Sequence, residues 1–301
     1  MKTNNSEFLS KSVQRWFNRG EMRRINGNEI FVIDEGSHKE STIILIHGFP
    51  TSSYDFDQIW QALSKQHRLV CIDMLGFGFS DKPNKRDYTL HKQADLFDSL
   101  VKDLGIEKYH VLAHDYGVSV AQELLARQID GSGTGKWLSC CFLNGGLFPE
   151  THKALLIQKI MLSSLGRLVN KLTGFSQFRA SFSKVFGEKT KPNDSELLEF
   201  WEIINYKNGR HLFHNLMTYI LDRREFRERW VSALQNSPVP ISIINGSVDP
   251  VSGKHLVKRY KELNCRLDHL IELPTIGHYP HVEAPKEVQA AYLDFLDQIS
   301  F

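Results

Sequence analysis

The 301-residue chain has the length of one large domain or two ordinary ones; 41% of its residues are hydrophobic and 24% are charged. This composition is typical of a globular protein and excludes disordered, collagen-like and coiled-coil chains. The formal net charge is only +2 and the pI is 8.2. Balanced charge argues against nucleic acid as a partner, because proteins that bind phosphate backbones are usually strongly basic.

Cysteine usage and the N-terminus contain no sign of secretion. Cysteines occur at positions 71, 140, 141 and 265, with no CxxC pair and no spacing that metal sites favour. We therefore predict neither a bound metal nor a disulfide framework. The first residues lack the apolar core of a secretory signal, and no apolar run approaches the ~20 residues of a membrane-spanning helix. A cytoplasmic location without stable membrane insertion is the resulting expectation.

Short apolar runs alternate with helical patterns along the first half of the chain. A helix over 8–17 precedes a hairpin over 23–34 that turns at Asn26-Gly27-Asn28. Strands are then predicted at 42–46, 69–73, 111–113 and 138–143. The helices between them are predicted at 54–65, 89–104 and 116–128. This alternation predicts an α/β fold with a mostly parallel, doubly wound sheet.

From about residue 148 the alternation stops, and only helical patterns follow, at 152–172, 195–206 and 210–234. Asn193 and Glu196 resemble a capping pair for the second of these helices. Strands resume at 241–245 and 270–273, with helices at 254–262 and 285–298. We therefore predict a helical lid over 148–236, inserted into an α/β core formed by 1–147 and 237–301.

The segment Ala113-His114-Asp115-Tyr116-Gly117 joins a predicted strand directly to a predicted helix. Small residues two positions before and after Asp115 match a nucleophile elbow, a sharp turn that exposes one side chain above the sheet. A carboxylate there gains from the helix dipole. The alternative is that Asp115 merely caps the helix, and the five residues alone do not separate the two interpretations.

Two further residues favour the elbow. Asp249 follows the strand at 241–245 and His278 follows the strand at 270–273, so both lie past the carboxyl ends of strands, where open α/β sheets assemble their sites. The chain order of nucleophile, acid and histidine is that of α/β-hydrolases. Each alone could be an ordinary loop residue. His281 is near enough in sequence to His278 to serve as an alternative base.

The segment His47-Gly48-Phe49-Pro50 ends another predicted strand. The backbone N–H groups of Phe49 and of Tyr116 could both point at a developing oxyanion, and Gly48 would permit a close approach of the loop. We interpret His47 as a structural hydrogen bonder and not as a catalyst.

The segments HGFPTSSYDFDQIW, DMLGFGFSDKP and AHDYGVSVAQELL resemble the α/β-hydrolase superfamily, and within it the aspartate-nucleophile branch of epoxide hydrolases and haloalkane dehalogenases. Together with the segment NGGLFPETHKALL, they look closer still to the mesoderm-specific transcript family, which is similar to epoxide hydrolases. The resemblance covers essentially the whole chain. It implies a nucleophile, an acid, a base and two oxyanion donors, namely Asp115, Asp249, His278, Phe49 and Tyr116.

The sequence also departs from these relatives. Dehalogenases bind halide with an Asn where Phe49 stands and a Trp where Tyr116 stands, which argues against dehalogenation. Fluoroacetate-type enzymes have arginines where Val118 and Ser119 stand.

Epoxide hydrolases protonate the opening ring with two lid tyrosines. Tyr206 and Tyr219 fall within the predicted lid, but Val231 stands where one of the pair is expected. At helical spacing, either tyrosine could equally belong to the core.

A carboxylate nucleophile suits displacement at a tetrahedral carbon. We therefore predict a hydrolase that needs no cofactor, forms an alkyl ester on Asp115 and uses a small apolar epoxide and water, as a monomer or homodimer. The alternatives are a haloalkane dehalogenase or carboxylesterase on the same fold, or a ligand-binding protein without turnover.

A basic run in the predicted lid has a separate interpretation. It contains Arg223, Arg224, Arg227 and Arg229, with acidic residues between them. Alternating charge predicts a solvated, ion-paired helix face, and contact with a membrane surface is the alternative.

Overall fold

The computed structural model describes residues 10–84, 88–151 and 174–299, and an eight-stranded sheet lies at its centre. The strands, in chain order, are β1 (Glu21–Ile25), β2 (Asn28–Glu35), β3 (Ser41–Ile46), β4 (His67–Ile72), β5 (Lys108–Ala113), β6 (Lys136–Phe142), β7 (Ile241–Gly246) and β8 (His269–Leu273). Their spatial order is β1-β2-β4-β3-β5-β6-β7-β8. The first two pairings are antiparallel and the other five are parallel, which confirms the predicted α/β architecture.

Helices connect the parallel strands. Numbered within the described residues, they are α1 (Lys11–Phe17), α2 (Asp57–Leu63), α3 (Leu90–Asp103), α4 (Tyr116–Asp130), α5 (Phe175–Phe182), α6 (Asp194–Asn205), α7 (Phe213–Leu216), α8 (Tyr219–Glu225), α9 (Arg227–Gln235), α10 (Lys254–Glu262), α11 (Pro280–Glu283) and α12 (Pro285–Ile299). Helix α4 packs against α3 and α9, and α2 packs against α12. No described helix combines the length and apolar character that crossing a membrane requires.

The predicted hairpin is confirmed, and its turn residues explain it. Asn26 and Gly27 have φ angles of 49° and 79°. Two successive positive φ angles match the twist of the flanking strands, and Asn-Gly is the dipeptide that tolerates them best. The hairpin occupies one edge of the sheet, where β1 pairs only with β2.

The sheet changes direction between β3 and β5. The chain runs outward from β3 to β4, then returns to place β5 on the other side of β3. In open α/β sheets, a crevice forms outside the carboxyl ends of the strands at such a switch point. The loops after these two strands carry Phe49 and Asp115, so the topology alone brings these two residues to one place.

Between β6 and β7 the described residues form helices and turns, without a strand. Asn193 caps α6, and Glu196 completes the capping box, as expected. The helix predicted at 152–172 lies outside the described residues, and α5 was not predicted. The division of the chain at 148 and 236 stays a prediction.

The single helix predicted over 210–234 is wrong. The structure has a 3-10 segment, Tyr206–Leu212, followed by three short helices, α7, α8 and α9. Within the 3-10 segment, Lys207 and Asn208 adopt left-handed backbone conformations with φ angles of 49° and 57°. The apolar spacing continues across these breaks because each short helix buries one face, which makes the pattern resemble one long helix.

A substitution at Gly117 tests how closely helix α4 packs against the end of strand β3. A Cβ atom at this position would lie 2.4 Å from the carbonyl oxygen of Ile46 and 2.6 Å from that of His47. Because backbone atoms cannot move aside as a flexible side chain can, we expect Gly117→Ala to lower the free energy of unfolding by about 3 kcal/mol. Urea denaturation measures this change.

Gly105→Ala is the matched control for the Gly117 substitution. Gly105 has a φ of 63°, and a Cβ added there would meet no neighbouring atom of the described residues within 4 Å. The control therefore adds backbone strain of about 1 kcal/mol without a clash. Equal losses of stability in the two variants would contradict the close packing of α4 on β3.

Candidate active site

Asp115 lies between the end of β5 and the start of α4, with a φ of 46° and a ψ of −108°. A positive φ is strained for any residue other than glycine, and a nucleophile elbow requires this conformation. Its side chain makes no capping hydrogen bond to α4. The interpretation of Asp115 as a simple helix cap is therefore wrong.

The structure brings the three predicted catalytic residues together. The Nδ1 atom of His278 lies 2.7 Å from Oδ2 of Asp249, and its Nε2 atom lies 3.3 Å from Oδ1 of Asp115. All three side chains are buried. The imidazole thus lies between two carboxylates, as a triad of nucleophile, base and acid requires.

Asp249 is held by several hydrogen-bond donors besides His278. Its carboxylate accepts hydrogen bonds from the N–H of Val251, from the N–H and hydroxyl of Ser252, and from the side-chain amide of Asn144. These contacts fix the carboxylate and, through it, the orientation of the His278 ring. A buried acid with this many donors is well suited to hold a histidine in one tautomer.

Asn144 was missed in the sequence. Its side-chain amide donates a hydrogen bond to Asp249 at 2.9 Å, and its backbone carbonyl oxygen accepts one from the N–H of Asp115 at 2.7 Å. It therefore joins the acid to the elbow. Its position directly after the strand at 138–143 is the signal that could have identified it, because such positions face the site.

Phe49 occupies the expected place for an oxyanion donor. Its N–H donates to Oδ2 of Asp115 at 2.9 Å. A Cβ on Gly48 would lie 2.8 Å from Cβ of Asp115, so only glycine permits the loop to approach this closely. Tyr116 begins α4, where a backbone N–H has no acceptor within the helix. The Phe49 N–H therefore contacts the Asp115 carboxylate, and the role of the Tyr116 N–H stays a prediction.

The Tyr219 ring of α8 lies beside the aromatic rings of Tyr116 and Phe49, the two residues whose backbone N–H groups are the predicted donors. Its ring centroid is 5.1 Å from that of Tyr116 and 6.4 Å from that of Phe49. Burial raises the pKa of the Tyr219 hydroxyl, and the charge of Arg223 opposes this effect. The hydroxyl is therefore protonated at neutral pH and able to donate.

Tyr206 has different neighbours. Its ring packs edge-on against Phe79 at 5.3 Å, and the ammonium groups of Lys82 and Lys207 lie 5.6 and 5.8 Å from its centroid. None of these residues belongs to the triad. Of the two tyrosines suggested by the sequence, Tyr219 is the one whose ring lies beside those of Phe49 and Tyr116.

Arg223 is not part of a solvated face, and that interpretation is wrong for this residue. It is only 2% exposed. Its Nε donates to the Ser119 hydroxyl at 2.7 Å, its Nη2 reaches the carbonyl oxygen of Asp115 at 3.3 Å, and its guanidinium covers the Tyr219 ring at 4.5 Å. The spacing of four residues from Tyr219 was the available signal, since it puts both on one helix face.

Two other arginines of the run do form ion pairs at or near the surface. Arg227 pairs with Glu150 and Glu228, and Arg229 pairs with Glu123 and Asp130. For these two side chains the predicted ion pairing is confirmed.

The charges of the site depend on one another. Burial alone would raise the pKa of Asp115, but the hydrogen bond and charge of His278 hold that pKa well below its usual value, with a smaller contribution from the charge of Arg223. Burial alone would lower the pKa of His278, but the carboxylates of Asp249 and Asp115 raise it. The pair is therefore a carboxylate and an imidazolium at neutral pH.

The remaining histidines near the site have no contact with the nucleophile that would make them bases. Nε2 of His47 accepts the N–H of Met74 at 3.0 Å, and its Nδ1 contacts the carbonyl oxygen of Gly48, which confirms its structural role. Both ring nitrogens of His281 lack a hydrogen-bond partner among the described residues. No hydrogen bond therefore connects His281 to Asp115 or Asp249.

Fold and site together define a protein of the α/β-hydrolase class, and comparison with known families agrees. The family described as "alpha/beta hydrolase fold" matches residues 41–145. Among solved structures, the haloalkane dehalogenase DbeA from Bradyrhizobium elkanii, as its M1 loop variant, superposes with a TM-score of 0.77 and 17% identity, covering 93% of this chain and 96% of that one. At this identity the likeness shows the fold alone.

Curated relatives give the narrower assignment. The mesoderm-specific transcript protein of Mus musculus is 38% identical over 298 residues, covering 96% of this chain and 89% of the relative. The chain belongs to the mesoderm-specific transcript family of α/β-hydrolases. A more distant relative, the cis-3-alkyl-4-alkyloxetan-2-one decarboxylase of Shewanella oneidensis, is 26% identical and covers 87% of this chain and 83% of the relative.

The pairing of His278 with two carboxylates leads to a pH prediction. In Asp115→Asn, one negative charge is lost, so we expect the pKa of His278 to fall by about one to two pH units. NMR titration of ¹⁵N-labelled histidines measures it, and His278→Gln assigns the signal. His269, which stacks on Phe295, should titrate as in the wild type. An unchanged His278 titration would contradict the ion pair with Asp115.

Proposed function

We propose that this protein hydrolyses a small apolar epoxide through a covalent ester on Asp115. One observation carries the proposal: the Asp115 carboxylate sits on a strained elbow with Oδ2 bound by the Phe49 N–H and Oδ1 beside His278. The first oxygen is held where negative charge will develop later, and the second is left to attack. A serine at the same place would suit acyl transfer, whereas a carboxylate suits displacement at a tetrahedral carbon.

In the first step, Oδ1 of Asp115 forms a bond to a ring carbon, and the carbon–oxygen bond of the epoxide breaks. The released oxygen takes a proton from the Tyr219 hydroxyl. Arg223 lies over the Tyr219 ring, 4.5 Å from its centroid, so its positive charge stabilises the phenolate that remains. This assistance is worth about 10² to 10⁴ in rate for a well-placed general acid.

Ester formation prepares the second step by changing the charge of the site. Once Asp115 is esterified, His278 has one carboxylate neighbour in place of two, so its pKa falls and it passes its proton to the Tyr219 phenolate. The neutral imidazole then takes a proton from water, while Asp249 keeps its orientation through the 2.7 Å contact. The base thus becomes active only after the intermediate has formed.

The water oxygen attacks Cγ of Asp115, and the negative charge develops on Oδ2. The N–H groups of Phe49 and Tyr116 stabilise this oxyanion. Collapse breaks the bond between Cγ and the alkyl oxygen, and the released diol oxygen takes the proton of the hydroxyl group that water placed on Cγ. Asp115 is again ionised and His278 is again protonated, so the sum of the two steps is epoxide plus water giving a diol.

A second candidate substrate is a strained lactone. The relative from Shewanella oneidensis is named for an oxetan-2-one, a four-membered lactone. Arg223 is buried beside Asp115 and has no carboxylate within ion-pair distance among the described residues. Attack of Asp115 on the alkyl carbon of a lactone would release a carboxylate, and a buried cation stabilises that leaving group without a proton donor.

Trapping the ester tests the nucleophile. In His278→Gln the second step loses its base, so incubation with styrene oxide should leave one substrate mass on the peptide that contains Asp115. Intact-mass and peptide mass spectrometry measure this adduct, and the double variant with Asp115→Ala should show none. Diol formation by Asp115→Ala at the wild-type rate would refute covalent attack through this residue. Release of halide from 1-bromobutane, faster than diol formation, would instead favour a dehalogenase.

Two tyrosine variants test whether Tyr219 is the general acid that protonates the opening epoxide. We expect Tyr219→Phe to lower kcat for epoxides by about 10² or more, because the opening ring loses its proton donor. Tyr206→Phe is the matched control and should change kcat by less than about threefold. A four-membered lactone should be turned over by Tyr219→Phe nearly as well as by wild type, since its leaving group needs no proton. Equal effects of both tyrosine variants would contradict the role of Tyr219.

A further inference from the structure

Three buried polar side chains lie close together next to the nucleophile elbow. Asp55 comes from the 3-10 turn Ser53–Phe56, His114 from the residue before the nucleophile, and His281 from α11. None is more than 1% exposed. One ligand atom from each lies within 4.8 Å of the other two. Three distant parts of the chain therefore converge on one small buried volume.

The facing atoms of this cluster have no protein partners. Within the described residues, Oδ1 of Asp55, Nδ1 of His114 and both ring nitrogens of His281 make no hydrogen bond. Buried polar atoms normally make hydrogen bonds, so several unsatisfied atoms within one small cluster need an explanation. None of these side chains takes part in the reaction proposed above.

In two of the three side chains, His114 and Asp55, the second polar atom makes a hydrogen bond to the protein, as is usual for metal ligands. Nε2 of His114 donates to the carbonyl oxygen of His278 at 2.8 Å, so this nitrogen carries the proton and Nδ1 keeps its lone pair. Oδ2 of Asp55 accepts the hydroxyl of Thr51. Metal-bound histidines typically donate their other N–H to a backbone carbonyl, and metal-bound carboxylates are themselves hydrogen-bonded.

We propose that Asp55, His114 and His281 form a structural site for a divalent transition metal, best matched by zinc. Two imidazoles and one carboxylate are a donor set that zinc accepts. Two ligands on tetrahedral zinc lie about 3.4 Å apart, so the ion would draw these side chains slightly closer. Cysteine spacing could not reveal such a site, because its ligands are spread over positions 55, 114 and 281.

The site would hold the catalytic segments together without entering the reaction. The Asp115 carboxylate is bound to Phe49 and His278 instead. Aromatic rings enclose the cluster: that of Phe56 lies 5.2 Å from the His281 ring, and that of Tyr279 lies 4.7 Å from the His114 ring. Three side chains leave the fourth position of a tetrahedral zinc to a water molecule, which these rings would shield from bulk solvent. The ion would tie the elbow to the loop that carries His278.

Metal content tests this proposal directly. We expect the untagged full-length chain, produced with added zinc and gel-filtered, to retain about one zinc per chain by mass spectrometry of the metal. His281→Gln and Asp55→Asn should retain at least tenfold less. His110→Gln is the matched control, because His110 is a buried histidine on β5 bonded to Ser139 and lies outside the cluster; it should retain wild-type zinc.

A second measurement on the wild type keeps the test decisive if the variants do not fold. Protein refolded from denaturant after chelation should gain about 5 °C in Tm with Zn²⁺ or Co²⁺ and nothing with Mg²⁺. Its cobalt form should show visible d–d absorption. Wild type without stoichiometric zinc and without a Tm shift would overturn the site, leaving a network of bound water as the explanation. Unchanged zinc content in a folded His281→Gln would also overturn it.

Discussion

The structure of this site depends on one imidazole that lies between two buried carboxylates. Ionised carboxylates are costly to bury unless a cation or several donors compensate each of them. Asp249 is compensated by backbone, serine and asparagine donors, whereas Asp115 has a single N–H from Phe49. The negative charge of Asp115 is therefore stabilised mainly by two positive charges. His278 contacts the carboxylate directly, and Arg223 contacts the backbone carbonyl oxygen of the same residue. Two negative groups then face two positive ones, and the buried site is close to neutral.

This balance of buried charges determines the sequence of steps in the proposed reaction. In the proposed first step, the negative charge of Asp115 moves to the Tyr219 phenolate, so His278 keeps only one of its two carboxylate neighbours. A guanidinium keeps its proton, so the proton that the phenolate takes comes from His278. The same contacts that keep the imidazole protonated before attack thus release it as a base afterwards. A serine nucleophile, neutral at rest, would not produce this change in charge.

Sequence patterns predicted what depends on local structure. The elbow was predicted from five consecutive residues together with the positions of Asp249 and His278 after later strands, and the sheet was predicted from apolar runs of strand length. Three features depended on packing between distant segments and were missed or misread: Asn144, which joins Asp249 to the elbow, the buried Arg223, and the breaks within 206–226. Arg223 was predicted to be exposed because guanidinium groups usually are. Its hydrogen-bond partners are a hydroxyl and a carbonyl oxygen instead of a carboxylate. No pattern of charges along the sequence indicates such partners.

In the proposed reaction, the choice of substrate depends on one turn of helix α8, which carries Tyr219 and Arg223. Asp115, His278 and Asp249, the proposed nucleophile, base and acid, follow the carboxyl ends of strands, and in the proposed reaction they would serve an epoxide, a haloalkane or a lactone alike. Tyr219 and Arg223 lie four residues apart on α8 and contact each other. The phenol can protonate a released alkoxide, and the guanidinium can neutralise a released carboxylate. If the proposed reaction holds, substitution of Tyr219 or Arg223 is expected to change which leaving group the site favours without removing the contacts among Asp115, His278 and Asp249.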